Sequence, residues 1–146
     1  MIASGKSTYC AERAKDGAIV INDDAIVMAL HGGDYNQYSK RLKRLYKSVE
    51  NQILQTAIIM GLDVVIDRPN YSAAMRRRYI SIAKSFDVRV RIVVFKKESP
   101  EVHARRRFES DSRGRTYEEW LKAAKAHDGQ YEEPSADEGA DEICLK

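Results

Sequence analysis

At 146 residues the chain is long enough for one well-filled core and too short for two. With 43% hydrophobic and 32% charged residues it reads as a globular domain, and no run approaches the roughly 18 apolar residues of a membrane span, so no membrane partner is expected. Its two cysteines, Cys10 and Cys144, lack metal-ligand spacing, which excludes a disulfide scaffold and points to a reducing, cytoplasmic compartment.

The opening residues, M-I-A-S-G-K-S-T, lead into no apolar run and do not read as a signal peptide. Charge is unevenly spread. Residues 1–127 hold 24 Lys and Arg against 15 Asp and Glu, whereas 128–142 hold seven acidic residues and no Lys or Arg. A basic body favours polyanions such as nucleotides or nucleic acid. The acidic segment 128–142 reads as a flexible linker or a partner-binding surface.

In chain order, the first helical pattern starts at Thr8. Ala18-Ile19-Val20-Ile21, after Gly17, is a short apolar run of the kind that forms a buried strand. Leu42, Tyr46, Val49, Ile53, Ala57 and Met60 recur at helical spacing, and Gly61 ends that helix as a C-cap glycine does. Val64-Val65-Ile66 is a second strand. Ser72 caps a helix running towards Phe86, and Val88 to Phe95 is a third strand. Ser99-Pro100-Glu101 opens a further helix, with proline in the first turn. Thr116-Tyr117-Glu118-Glu119 is a capping box for the next. Ile143-Cys144-Leu145 closes the series as a weak fourth strand. Strands alternating with helices imply a parallel sheet covered on both faces, so the fold class is α/β, in one domain spanning 1–146.

Ser4-Gly5-Lys6-Ser7-Thr8 matches the end of the phosphate-binding motif G-x-x-x-x-G-K-[ST]. Gly5 lets the backbone curl so that N–H groups face phosphate oxygens. Lys6 brings a mobile positive charge to the β- and γ-phosphates, and the Ser7 hydroxyl suits Mg²⁺. Thr8 lies at the start of a helix whose partial positive charge adds to the anion site. ATP with Mg²⁺ is the ligand expected. The first glycine of the full motif would fall one residue before Met1, with the strand that feeds the loop before it. The expectation is therefore of a first central strand missing from this chain, and a natural start about ten residues upstream.

Asn22-Asp23-Asp24 follows the first strand directly. In an open α/β sheet the carboxyl ends of the strands form the ligand crevice, so a carboxylate there can accept the proton of an incoming hydroxyl. Asp23 is the candidate base and acceptor contact, and either aspartate can also cap the following helix. Asp67 ends the Val64-Val65-Ile66 strand, where a carboxylate can hold Mg²⁺ through water. Asn70 lies in the same crevice as a substrate contact, or serves as a turn residue after Pro69. Arg105-Arg106-Arg107, with Arg113 and Arg115, surround a helix end and a glycine loop, forming a lid region over about 99–116 that can close on phosphate charge. Arg76, in Arg76-Arg77-Arg78, is a candidate contact for an anionic acceptor. His31, in the His31-Gly32-Gly33-Asp34-Tyr35 loop, is read as structural.

This order of motifs, from G-K-S-T through N-D-D, a tyrosine-rich basic segment and V-V-I-D-R-P-N to an arginine-rich lid, resembles the phage-type polynucleotide 5′-kinase family. That family sits among the kinase-like P-loop ATPases, with a three-layer α/β/α sandwich. The resemblance implies that Lys6 and Ser7 bind ATP and Mg²⁺, that Asp23 activates a 5′-hydroxyl, and that Arg113 with Arg105 contacts ATP phosphates. Asp67 and Asn70 match the family's D-T-N segment with one extra residue between them. Ile26 stands where the family has an arginine for the acceptor phosphate. The resulting expectation is an ATP- and Mg²⁺-dependent kinase acting on the 5′ end of single-stranded nucleic acid. The alternatives are a small-molecule kinase for a nucleoside or sugar, and a non-catalytic ATP-binding switch.

Overall fold

In the computed structural model, residues 2–111 and 114–146 are described. The chain forms two compact units, Ser7–Arg68 and Met1–Lys6 with Pro69–Lys146.

The Ser7–Arg68 unit follows α1 (Lys6–Lys15) with β1 (Ile19–Asn22), α2 (Asp23–Leu30), α3 (Lys43–Ile59) and β2 (Val64–Asp67). Two helices end on the same device. At the end of α1, Ala18 N–H bonds the Arg13 carbonyl at 3.0 Å and Gly17 N–H bonds that of Ala14 at 3.0 Å. At the end of α3, Leu62 N–H bonds Ala57 at 3.0 Å and Gly61 N–H bonds Ile58 at 2.9 Å. Both are Schellman motifs, and each needs a left-handed residue, supplied by Gly17 at φ 92° and Gly61 at φ 71°. The turns deliver the chain into β1 and β2, which pair in parallel with Ile19 opposite Val64 and Asn22 opposite Asp67. Cys10, Ala18, Ile21, Ile26, Val27, Tyr46, Leu54 and Ala57 are buried in this unit. His31 Nε2 lies 2.9 Å from Tyr46 Oη, and the Tyr46 ring stacks on Tyr38 at 5.6 Å, so His31 is a packing group, as expected.

The other unit contains α4 (Ala73–Lys84), β3 (Arg91–Val94), α5 (Pro100–Glu109), α6 (Tyr117–Asp128) and β4 (Glu142–Leu145). Its helix starts are those read from the sequence. Ser72 accepts from Met75 N–H and Ser99 from Val102 N–H, both at 3.4 Å. Thr116 and Glu119 complete a reciprocal capping box. Ala104, Trp120 and Ala124 form a buried cluster between α5 and α6, with Ile2, Tyr117 and Leu121 packed against it. β3 pairs with β4 in parallel, Arg91 opposite Glu142. β3 is shorter than the Val88–Phe95 run because its ladder is set by β4, and Asp141 clamps the entry by bonding Val90 from both its backbone and its carboxylate.

The fold is thus mixed α/β with short parallel strands. The single sheet expected from the alternation is two two-stranded sheets, β1 with β2 and β3 with β4, and no described strand joins them. No helix of the described residues is long and apolar enough to cross a membrane.

Four carboxylates of the acidic segment form ion pairs within the fold. Glu138, buried after α6, takes Arg76 Nε and Nη2 at 2.7 Å each. Asp141 accepts from Lys84 Nζ at 2.7 Å and Glu142 from Arg91 Nε at 2.8 Å, and Asp128 forms an ion pair with Lys97 Nζ at 2.7 Å. The Arg76 guanidinium holds the Glu138 carboxyl below its ordinary range, despite the opposing effect of burial. Its contribution is present above the ordinary carboxyl value of 4.5 and is lost as pH falls below it. Breaking this two-bond buried pair with Arg76→Ala is expected to cost about 3–5 kcal/mol, whereas Arg76→Met with Glu138→Leu costs far less. Urea denaturation of the single and double variants checks the difference.

Candidate active site

The phosphate-loop residues lie at the start of the chain. Ala3 at φ 46° and Gly5 at φ 95° curl the backbone immediately before α1 opens at Lys6. An added Cβ at Gly5 would meet only Phe95 Cδ1, at 3.8 Å, so it is the backbone angle that calls for glycine there. Lys6 Nζ donates to Ser4 Oγ at 3.2 Å. Ser7 and Thr8 are exposed in the first turn of α1. Left-handed turns leading into the N-terminus of a ten-residue helix suit an anion. Beside Phe95 an open groove of about 700 Å³ runs past Lys96, Lys97 and Tyr131.

The carboxylates of the Ser7–Arg68 unit are organised by a residue the sequence reading passed over as a cap. Asn22, the last residue of β1, accepts from Ala25 N–H at 3.0 Å and so caps α2 itself. Its Nδ2 donates to Asp67 Oδ2 at 3.0 Å across the β1–β2 pair. Asp23 and Asp24, which the sequence also allowed as caps, instead occupy the first turn, where the helix dipole favours a carboxylate. Arg68 pairs with Asp23 through Nη2 and with Glu50 through Nη1, at 3.2 and 3.0 Å to the two Glu50 oxygens. Asn22 with Asp67, and Asp23 with Arg68 and Glu50, therefore form two sets that adjoin along the chain at Asn22–Asp23 and Asp67–Arg68.

Glu50 and Arg68 were missed in the sequence, yet one signal was there. Glu50 falls on the same stripe as Tyr46, Leu54 and Ala57, the buried face of α3, and a charged residue on such a face needs a partner. Asn at a strand end followed by two aspartates is likewise an N-cap signal.

The other expected residues are placed differently. Arg76 is buried on Glu138 and gives its Nη1 to the Asn70 carbonyl at 3.0 Å, so its charge is used inside the fold. Asn70 sits at φ 40°, as a turn residue would. Arg105 and Arg106 are exposed on α5. Arg107 lies over the Trp120 ring at 4.9 Å, as does Arg115. Arg113 falls outside the described residues.

Ser7 and Asp67 are hard oxygen donors of the kind Mg²⁺ takes. Among the described residues no three His, Cys, Asp or Glu gather as a cage. Mg²⁺ in phosphate-transfer sites draws on one or two carboxylates, with phosphate and water supplying the rest, and a hydroxyl and a carboxylate are donors of that chemistry.

His103 on α5 also escaped the sequence reading. It is fully buried, and its Nε2 accepts from Glu98 N–H at 3.1 Å, which leaves the proton on Nδ1. Nδ1 has no partner in bonding geometry among the described residues, although the Ala3 backbone is near enough to act on its titration. Burial pushes its pKa down, helped by Arg106 and Lys6. Burial does the same to His127, which is tilted against the Tyr71 ring at 4.9 Å.

The sequence model of one protein family, described as an AAA domain, matches residues 1–132. The chain belongs to that family, whose members are P-loop nucleotide-binding domains and include kinases. Among curated proteins, no sequence matches the chain.

Two histidines held neutral give the fold an acid-sensitive edge. The unfolded chain protonates them near 6.5, the folded one only at lower pH, so stability is full above that value and falls as pH drops beneath it. Gln at position 103 can still accept from Glu98 N–H without titrating. His103→Gln is expected to flatten the fall in melting temperature between about pH 7 and pH 5, followed by circular dichroism.

Proposed function

We propose that this AAA-domain protein is an ATP-dependent phosphotransferase that moves the γ-phosphate to a hydroxyl group. The observation that carries the reading is the placement of Asp23 just past β1 and Asp67 at the end of β2. They follow adjacent parallel strands in a chain whose first helix opens on Gly5-Lys6-Ser7-Thr8. The three-layer α/β/α sandwich implied by the resemblance belongs to the same reading, supported by parallel pairing in both sheets.

In this mechanism the loop from Ser4 to Thr8 cradles the ATP phosphates, and Lys6 neutralises charge on the β- and γ-phosphates. Ser7 and Asp67 would hold Mg²⁺, which when bound neutralises phosphate charge. Asp23 accepts the hydroxyl proton as the acceptor oxygen bonds to γ-phosphorus. The bond from γ-phosphorus to the bridging oxygen breaks, and ADP leaves. Arg105, Arg106 and Arg113 from the lid offset charge on the transferring group. Asn70 contributes to the acceptor side.

A polynucleotide 5′-hydroxyl is the acceptor the family resemblance implies. Specific observations favour a small neutral acceptor, such as a nucleoside or sugar, as the second reading. Ile26, standing where that family has an arginine, is buried. Arg76 is committed to Glu138, and the acidic segment neutralises Lys84, Arg91 and Lys97.

Transfer of labelled γ-phosphate from Mg·ATP to a 5′-hydroxyl oligonucleotide and to a panel of nucleosides and sugars tests both. Activity is expected to fall by about 10²–10⁴-fold in Asp23→Ala, and Lys6→Ala is expected to lose activity as well. Label on the oligonucleotide supports the nucleic-acid acceptor, and label on a small acceptor alone supports the second reading. ATP binding without transfer to any acceptor would overturn the phosphotransferase in favour of a nucleotide switch.

A further inference from the structure

Asp23 does not stand alone at the start of α2. Arg68, the residue after β2, reaches it with Nη2 while Nη1 is held by both oxygens of Glu50. The three side chains differ sharply in exposure: 1% for Glu50, 26% for Arg68 and 43% for Asp23. The chain therefore runs from a fixed interior charge to a carboxylate at the surface. Each member sits on a different element, Glu50 mid-way along α3, Arg68 beyond β2, and Asp23 in the first turn of α2.

A buried carboxylate requires a cationic partner, and Glu50 obtains one from Nη1 alone. Burial does not require the second contact, from Nη2 to a carboxylate nearly half exposed. Its effect is directional: it limits the rotamers open to Asp23. The guanidinium also keeps Asp23 in its carboxylate form, the form that accepts a proton. A base oriented by a second group, itself fixed by a third, is the arrangement expected of an activated proton acceptor.

We propose that Arg68 and Glu50 are positioning residues that aim the Asp23 carboxylate at the acceptor hydroxyl. The inference rests on the reading of Asp23 as the proton acceptor. It adds that catalysis depends on a residue that touches neither ATP nor the reacting atoms, Glu50, acting through Arg68.

The full chain is assayed for phosphate transfer from γ-labelled Mg·ATP to water and to a 5′-hydroxyl oligothymidylate. Wild type, Asp23→Asn, Arg68→Gln, Arg68→Lys, Glu50→Gln and the Asp23→Asn, Arg68→Gln double variant are compared, with ATP affinity measured on each. Misaiming the carboxylate is expected to lower kcat by up to about 10²-fold in Arg68→Gln and Glu50→Gln. KM and Kd for ATP stay within about twofold. Arg68→Lys restores part of the loss, and Arg68→Gln costs nothing further once Asp23 is Asn. Should Glu50→Gln fail to fold, the half-buried Arg68 variants carry the test. Full kcat in Arg68→Gln beside a crippled Asp23→Asn would overturn the positioning role alone, as would additive losses in the double variant. Unchanged phosphate release in Asp23→Asn would overturn the role of Asp23 itself, and the positioning role with it.

Discussion

The carboxylate group depends on the register of β1 against β2. A parallel pair brings the carboxyl ends of both strands to the same side, and here Asn22 comes opposite Asp67. One asparagine then serves two purposes, closing the first turn of α2 and holding the Asp67 carboxylate. Asp23 and Arg68, each the next residue along, inherit their positions from that pairing. A slip of one residue would turn Asn22 and Asp67 to opposite faces and dissolve the group.

Charge tells a second part of the account. The excess of Lys and Arg in the first 127 residues looks from the sequence like a field for polyanions. Part of it is paired: Arg76 with Glu138 inside the fold, and at the surface Lys84 with Asp141, Lys97 with Asp128, and Arg89 and Arg91 with Glu142. Arg107 and Arg115 lie on Trp120, where the guanidinium plane gains from the ring face. What stays exposed includes Lys40, Arg41, Lys43, Arg44 and Lys47 around the start of α3, and Arg105 and Arg106 on α5.

What could be read from the sequence was local. The caps at Ser72, Ser99 and Thr116 and the glycine stop at Gly61 involve residues within a few positions of one another. Short-range chemistry decides them, so their signatures survive without knowledge of the fold. The strand runs were legible for the same reason, although the length of β3 was not, because its partner decides where a ladder ends. The roles of Arg76 and Glu50 were hidden because their partners lie far along the chain, Glu138 for one and Arg68 for the other. An arginine triplet early in a helix looks the same whether it faces a ligand or a buried glutamate. Only packing separates the two.

Every functional statement above rests on a phosphate site at the start of α1, so nucleotide affinity is the measurement to make. Calorimetric titration of the chain with Mg·ATP, Mg·ADP and AMP, beside Lys6→Ala, tests it without assuming any acceptor. The account expects affinity to rise with each added phosphate and Lys6→Ala to lose about tenfold or more for ATP, in keeping with a lost charge-assisted contact. Equal binding of AMP and ATP, or an unchanged Lys6→Ala, would contradict it and remove the phosphate loop from the site.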